Sequence, residues 1–173
     1  MRIRRDSFAK HMGIEFRFWK RDHFYILQAD YSEELLRKGF RIDDKLKLKL
    51  KLMLKLKLKP ELEQKVNIYK EVSFNDIESA YWANTFCTYK GFKFFVENAS
   101  SRKYTLRPLE EAMNHFNDFP KQAYDRVYEA DENEIEELWE ERKPIDEFVF
   151  DTEPIIYIKR KIELSSPEKV IQD

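Results

Sequence analysis

Two stretches of the chain open on glycine and then alternate apolar with charged residues. GIEFRFW starts at Gly13 and GFKFFVE at Gly91. Alternation with a period of two predicts a half-buried strand. A second apolar run comes after each across a polar link, YIL at Tyr25 and YTL at Tyr104, and predicts the return strand of a hairpin. Next come EELLRKGF from Glu33 and EEAMNHF from Glu110, two short helical patterns. Gly39 suits a helix stop, and Pro108 suits a helix start.

Each copy closes with its best-matched segment, IYKEVSFNDIESAYW from Ile68 and VYEADENEIEELWE from Val127. With one residue of gap, Ile68 and Tyr69 match Val127 and Tyr128. Ser73 with Asp76, and Asp131 with Glu134, stand at capping-box spacing, which predicts a helix start after a strand. Ile77 with Tyr81, and Ile135 with Trp139, are four apart and share one helix face. The expected order is therefore strand, strand, short helix, strand, helix, twice over. It amounts to an α+β fold of two related ββαβα halves packed together, mainly antiparallel sheet with helices on one face. Residues 1–86 form the first half and 87–164 the second half with closing strands, and 165–173 are read as a flexible tail. RKPIDEFVF and PIIYIKRKI, punctuated by Pro144 and Pro154, predict those closing strands.

From Gly13 to Tyr81 the chain advances 68 positions, and from Gly91 to Trp139 it advances 48. Most of the excess of 20 falls between Phe40 and Ile68, where KLKLKLKLMLKLKLK runs from Lys45 to Lys59. A Lys/Leu insertion at 45–64 thus interrupts the first copy. On a helix, steps of two advance about 200° and scatter both residue types around the cylinder. On a strand all the leucines face one side and all the lysines the other, so the pattern predicts a long strand. At ~3.3 Å per residue the run reaches about 50 Å, well beyond the usual ~20 Å. A slip by two residues leaves its facing pattern unchanged, so the run fixes its own register poorly.

Charge is distributed unevenly along the chain. The net charge is −1, yet residues 1–60 hold 17 Lys/Arg and 8 Asp/Glu, and residues 61–173 hold 15 and 25. The first part carries +9 and the rest −10, an asymmetry that suggests polar partner surfaces. An apolar fraction of 42% with 15% aromatics is enough for a packed core. Cys87 is the single cysteine, so no internal disulfide forms and a reducing compartment is favoured. No apolar segment comes after the basic MRIRRDSFAKHMG, and no apolar run is long enough for a membrane helix. The expected location is cytoplasmic. With only three glycines there is no phosphate-cradling loop.

Chemistry-bearing motifs are scarce. His11, His23 and His115 have no metal-ligand neighbours at useful spacing, Cys87 lies in apolar NTFCTYKGF, and no serine stands in a GxSxG elbow. No catalytic residue, cofactor or metal is assigned; a hydrolase would need carboxylates clustered by the fold. The densest feature is acidic: from Glu129 to Glu141 there are eight Asp/Glu and no Lys/Arg. On the expected helix, Glu132, Glu136 and Glu140 form one stripe, flanked by Glu137 and Glu141, opposite Ile135, Leu138 and Trp139. A basic partner would be steered to such a stripe.

The layout of YKGFKFFV, YTL and VYEADENEIEELWEERKPI within residues 13–150 resembles small bacterial proteins of the toxin-immunity or prophage accessory type. The resemblance implies a non-enzymatic, inhibitor-type protein that occludes a protein partner such as a toxin or nuclease. Glu132, Glu136, Glu137, Glu140 and Glu141 would be its contact face. The alternative is binding to nucleic acid or another anionic surface through the basic first sixty residues, with Lys45, Lys47, Lys49, Lys51, Lys55, Lys57 and Lys59 on one strand face.

Overall fold

The computed structural model describes residues 3–43, 66–116, 121–122 and 125–160. Strands take 60% of them and helix only 11%. The α+β fold of helix-closed ββαβα halves is therefore overturned: the protein is mostly antiparallel sheet, and each predicted closing helix is a strand. The predicted Lys/Leu strand, its seven lysines and the 165–173 tail lie outside the described residues.

The chain divides into two compact units, Asp6–Ala83 with Arg142–Glu153, and Asn84–Glu141 with Met1–Arg5 and Pro154–Asp173. The first contains β1 (Arg5–His11), β2 (Ile14–Arg21), β3 (Phe24–Asp30), α1 (Glu33–Arg37), β4 (Arg41–Ile42) and β5 (Asn67–Val72). A 3-10 turn at Phe74–Asp76 then leads into β6 (Ser79–Tyr89), which runs on into the second unit. The antiparallel order is β1–β2–β3–β5–β4. One face buries Phe16, Phe18, Tyr25, Leu27, Ile68 and Val72, with Ile145 and Phe148 packed against them.

The second unit continues with β7 (Phe92–Ser100), β8 (Lys103–Pro108), α2 (Glu110–His115), β9 (Lys121–Gln122), β10 (Asp125–Arg126), β11 (Tyr128–Asp131), β12 (Ile135–Pro144) and β13 (Ile155–Lys159). Its ladder runs β11–β8–β7–β6, β12 pairs with β13, and β9 pairs with β10. The core holds Phe94, Val96, Tyr104, Leu106, Ile135 and Leu138. Neither helix forms a layer: α1 buries no residue and α2 buries only Ala112. Residues 145–150, expected as a strand, form none. Glu147 takes a left-handed φ of 80°, and the Phe148 N–H closes a turn on the Ile145 carbonyl.

The local signals that predict the closing helices are physically present. The Ser73 hydroxyl and N–H both donate to Asp76, at 2.7 and 2.8 Å, and the Asp131 N–H donates to Glu134 at 2.8 Å. Each cap closes a single turn, and the chain then extends because β6 and β12 gain ladder partners and bury alternate apolar residues. Along β12 the buried residues fall at Ile135, Leu138 and Glu140, and the three-residue step from Ile135 to Leu138 mimics a helix; where β12 pairs with β13 the register shifts between Leu138 and Trp139, with Ile158 of β13 as the extra residue.

The same contacts recur in the two units. Met12-Gly13 and Lys90-Gly91 are two-residue hairpin turns with both residues at positive φ, 54° and 71° in one and 51° and 77° in the other. The Gly13 N–H donates to Glu78 at 2.9 Å, and the Gly91 N–H donates to Glu136 at 3.0 Å. Phe8 stacks on Tyr81 at 6.0 Å and 29°, and Phe86 on Trp139 at 6.3 Å and 27°. Strand pairing also corrects the alignment of the copies. Tyr25 opposes Val72 and Tyr104 opposes Ala130, so Tyr128 matches Lys70, not Tyr69, and no gap is needed there.

The turns are open to direct measurement. A Cβ on Gly91 would meet nothing within 4 Å, so Gly91→Ala costs only its left-handed backbone, about 1 kcal/mol by denaturant unfolding. Asp76 is held below the usual carboxylate range by the Ser73 hydroxyl and then the Ser73 N–H. Its folded value being the lower, the cap's contribution is present above the ordinary range of about 4 and is lost as pH falls through the folded value. Asp76→Asn should flatten the acid limb of stability measured against pH.

Candidate functional site

In the first unit, the sheet face opposite the Phe16–Leu27 core is only partly covered by the described residues. Alternation along β2 places Arg17, Trp19 and Arg21 on that face. The register sets Trp19 beside Ile26 and Ile26 beside Glu71, while Gln28 stands beside Tyr69 and Tyr69 beside Arg41. These side chains come from four strands and converge only because the ladder aligns them.

They form a recess of about 820 Å³ lined by Trp19, Arg21, Ile26, Arg41, Tyr69 and Glu71, together with Gly39, Ile42, Asp43 and Lys70. Ile26 is a buried floor, whereas Trp19 is 41% exposed. Trp19 meets Tyr69 edge-on at 6.0 Å and 76°. Arg17 is ion-paired to Asp6 at 3.3 Å. Arg21, Arg41 and Glu71 are exposed and have no ion pair or hydrogen bond with another side chain among the described residues. The recess thus offers ring faces, two uncommitted guanidiniums and one uncommitted carboxylate.

Lys70 points from the opposite face of β5 toward a buried histidine. His11 Nδ1 lies 2.7 Å from the Asp76 carbonyl, which can only accept, so Nδ1 carries the proton. Nε2 is left to accept from the Lys70 ammonium at 3.0 Å. The corresponding place in the second unit holds Tyr89, whose hydroxyl reaches Glu134 at 3.5 Å, beside Tyr128. Of the other histidines, His23 is exposed in the β2–β3 turn, and His115 stacks on Phe92 at 4.5 Å.

The acidic residues singled out from the sequence do not form a helical stripe, because Ile135–Pro144 is extended. Glu132 lies in the turn before β12, and Glu136 binds the Gly91 N–H. Glu137 is half-buried. Glu140 is buried, 4% exposed, and paired with Arg4 at 3.2 Å. Glu141 accepts from the Trp139 indole N–H at 2.9 Å and pairs with Lys93. The strand register consumes most of them internally.

Among the described residues no group of His, Cys, Asp and Glu is placed to hold a metal ion, and no helix is long and apolar enough to cross a membrane. A family model described as uncharacterised conserved protein UCP033725 matches residues 3–148. No curated protein and no solved structure matches the chain.

Cys87 is fully buried, and burial pushes its thiol up to about 12. With so little thiolate, the native protein should resist alkylation at pH 8 and react fully once unfolded in denaturant. Rapid native labelling, detected by mass spectrometry, would contradict that placement.

Proposed function

We propose that this chain, a member of the uncharacterised conserved protein family UCP033725, is a non-enzymatic binding protein that holds single-stranded nucleic acid on the β2–β3–β5–β4 face. One observation carries the reading: Arg17, Trp19 and Arg21 alternate along β2, with Tyr69 and Arg41 across the same face, and Arg21 and Arg41 keep uncommitted charges. Single-strand binders combine cationic groups that track phosphates with aromatic side chains on which bases stack. A duplex keeps its bases stacked on each other and out of reach of Trp19. The recess volume also suits one small flat group, falling in the ordinary range for ligand pockets.

Ile135–Pro144 is extended and carries no acidic helical stripe for an inhibitor contact, whereas Arg17, Trp19, Arg21, Tyr69 and Arg41 share one sheet face. The lysines at 45–59 lie outside the described residues and carry no part of the proposal.

A thymidine-tract oligonucleotide monitored by fluorescence anisotropy at low salt tests it. Trp19→Ala should weaken binding by about 1–3 kcal/mol, the usual worth of a base–aromatic stack. Arg41→Ala should weaken it too and make the salt dependence shallower by about 0.7 in log–log slope. Both positions are exposed, so unfolding midpoints should barely move. Absence of binding by the unaltered protein, or undiminished binding by both variants, would sink the proposal.

A further inference from the structure

We infer that Glu71 reads the Watson–Crick edge of a guanine base held in the recess, an inference that rests on the single-strand reading of the same site. Two carboxylates line the recess, Asp43 and Glu71, and Asp43 has an interaction of its own; an unpartnered carboxylate is out of place on a surface that binds phosphate, since it repels the backbone. Glu71 is exposed, lines the recess beside Arg21 and Arg41, and has no cation or donor partner among the described residues. Its lone pairs are therefore free for a ligand that brings donors.

Position says which part of the ligand that is. Trp19, Ile26 and Glu71 stand in one row across three adjacent strands. With strands ~4.8 Å apart, Trp19 and Glu71 are separated by about 10 Å across the Ile26 floor. A base packed on Ile26 and against Trp19 has Glu71 at its far edge. The guanidiniums flank this row, Arg21 two residues beyond Trp19 on β2 and Arg41 opposite Tyr69 on β4. Phosphates go to the flanks and the base edge to the carboxylate.

Donor chemistry then selects the base. A carboxylate accepts and cannot donate, and its two oxygens suit two parallel N–H groups. Guanine alone presents two adjacent donors, N1–H and the exocyclic amine. Adenine and cytosine pair one amine with a bare ring nitrogen whose lone pair would face the carboxylate. Uracil and thymine flank one N–H with two carbonyls. The second unit has no equivalent, because Glu71 matches Glu129 on β11, which faces Thr105 where Ile26 stands in the first unit.

The test uses the full chain and short thymidine tracts carrying one central guanine, inosine, adenine or cytosine, compared by fluorescence anisotropy at low salt. The guanine tract should bind about tenfold or more tighter than the adenine tract, with inosine, which lacks the exocyclic amine, between them. Glu71→Gln offers a donor beside an acceptor, so it should weaken guanine binding and strengthen adenine binding. Equal binding of all tracts, with Trp19→Ala still disrupting it, would refute guanine reading and leave the single-strand proposal standing. A guanine preference that survives Glu71→Gln would refute the role of Glu71. No binding of any tract would remove both.

Discussion

Each unit depends on one hydrogen bond that ties a hairpin to the strand returning beside it. The chain leaves β5 or β11, turns through a capped corner, and must re-enter with its apolar residues facing the core. Glu78 and Glu136 stand just past those corners and accept from the N–H of Gly13 and Gly91 at the hairpin tips. Those glycines expose the N–H because the turn holds them at positive φ, where a side chain is strained. A one-residue slip would break the bond and turn every side chain to the wrong face. The β2–β3 and β3–β5 ladders in turn gather Trp19, Ile26 and Glu71 into one row.

Within the same frame the two units have diverged at positions that packing leaves free. Where the second unit packs Tyr89 against Tyr128 with tilted rings, the first sets His11 against Lys70. In the second unit a bulge at Val96/Asn98 adds Glu97, which pairs with Arg107. On the face where β2 carries Arg17, β7 carries Phe95, which meets Phe86 edge-on and lies beneath Arg5. The second unit thus uses its face for internal aromatic and ionic contacts, whereas among the described residues the first has a recess lined by Arg21, Arg41 and Glu71 without ion pairs. This asymmetry within one chain is what supports the proposal of a binding face in the first unit.

Much of the local structure is legible along the chain. Alternation after Gly13 and Gly91 specifies strands because a period of two has no helical equivalent. The carboxylates three residues beyond Ser73 and Asp131 do form caps. The element beyond each cap is not legible: Ile135, Leu138 and Trp139 suit a helix face as well as a strand whose burial departs from strict alternation, and glutamate-rich composition favours helix intrinsically. Nor can composition reveal that Glu140 is buried against Arg4, because that pair joins residues far apart in sequence. The recess is hidden for a related reason, since its walls come from four strands. Its one local trace is RFWKR at 17–21, where arginines either side of a tryptophan at period two signal a cationic, aromatic strand face.

Interactions between residues close along the chain set where it turns, which strand faces are apolar, and the double occurrence of one pattern, so these features can be read without the fold. Whether a capped turn opens a helix or a strand, which glutamates are left without internal partners, and which four strands share a recess are set by long-range packing. Those outcomes depend on ladder partners and burial supplied by residues tens of positions away. The ladder outweighs local helix preference because every extended residue gains a cross-strand partner and alternate ones enter the core.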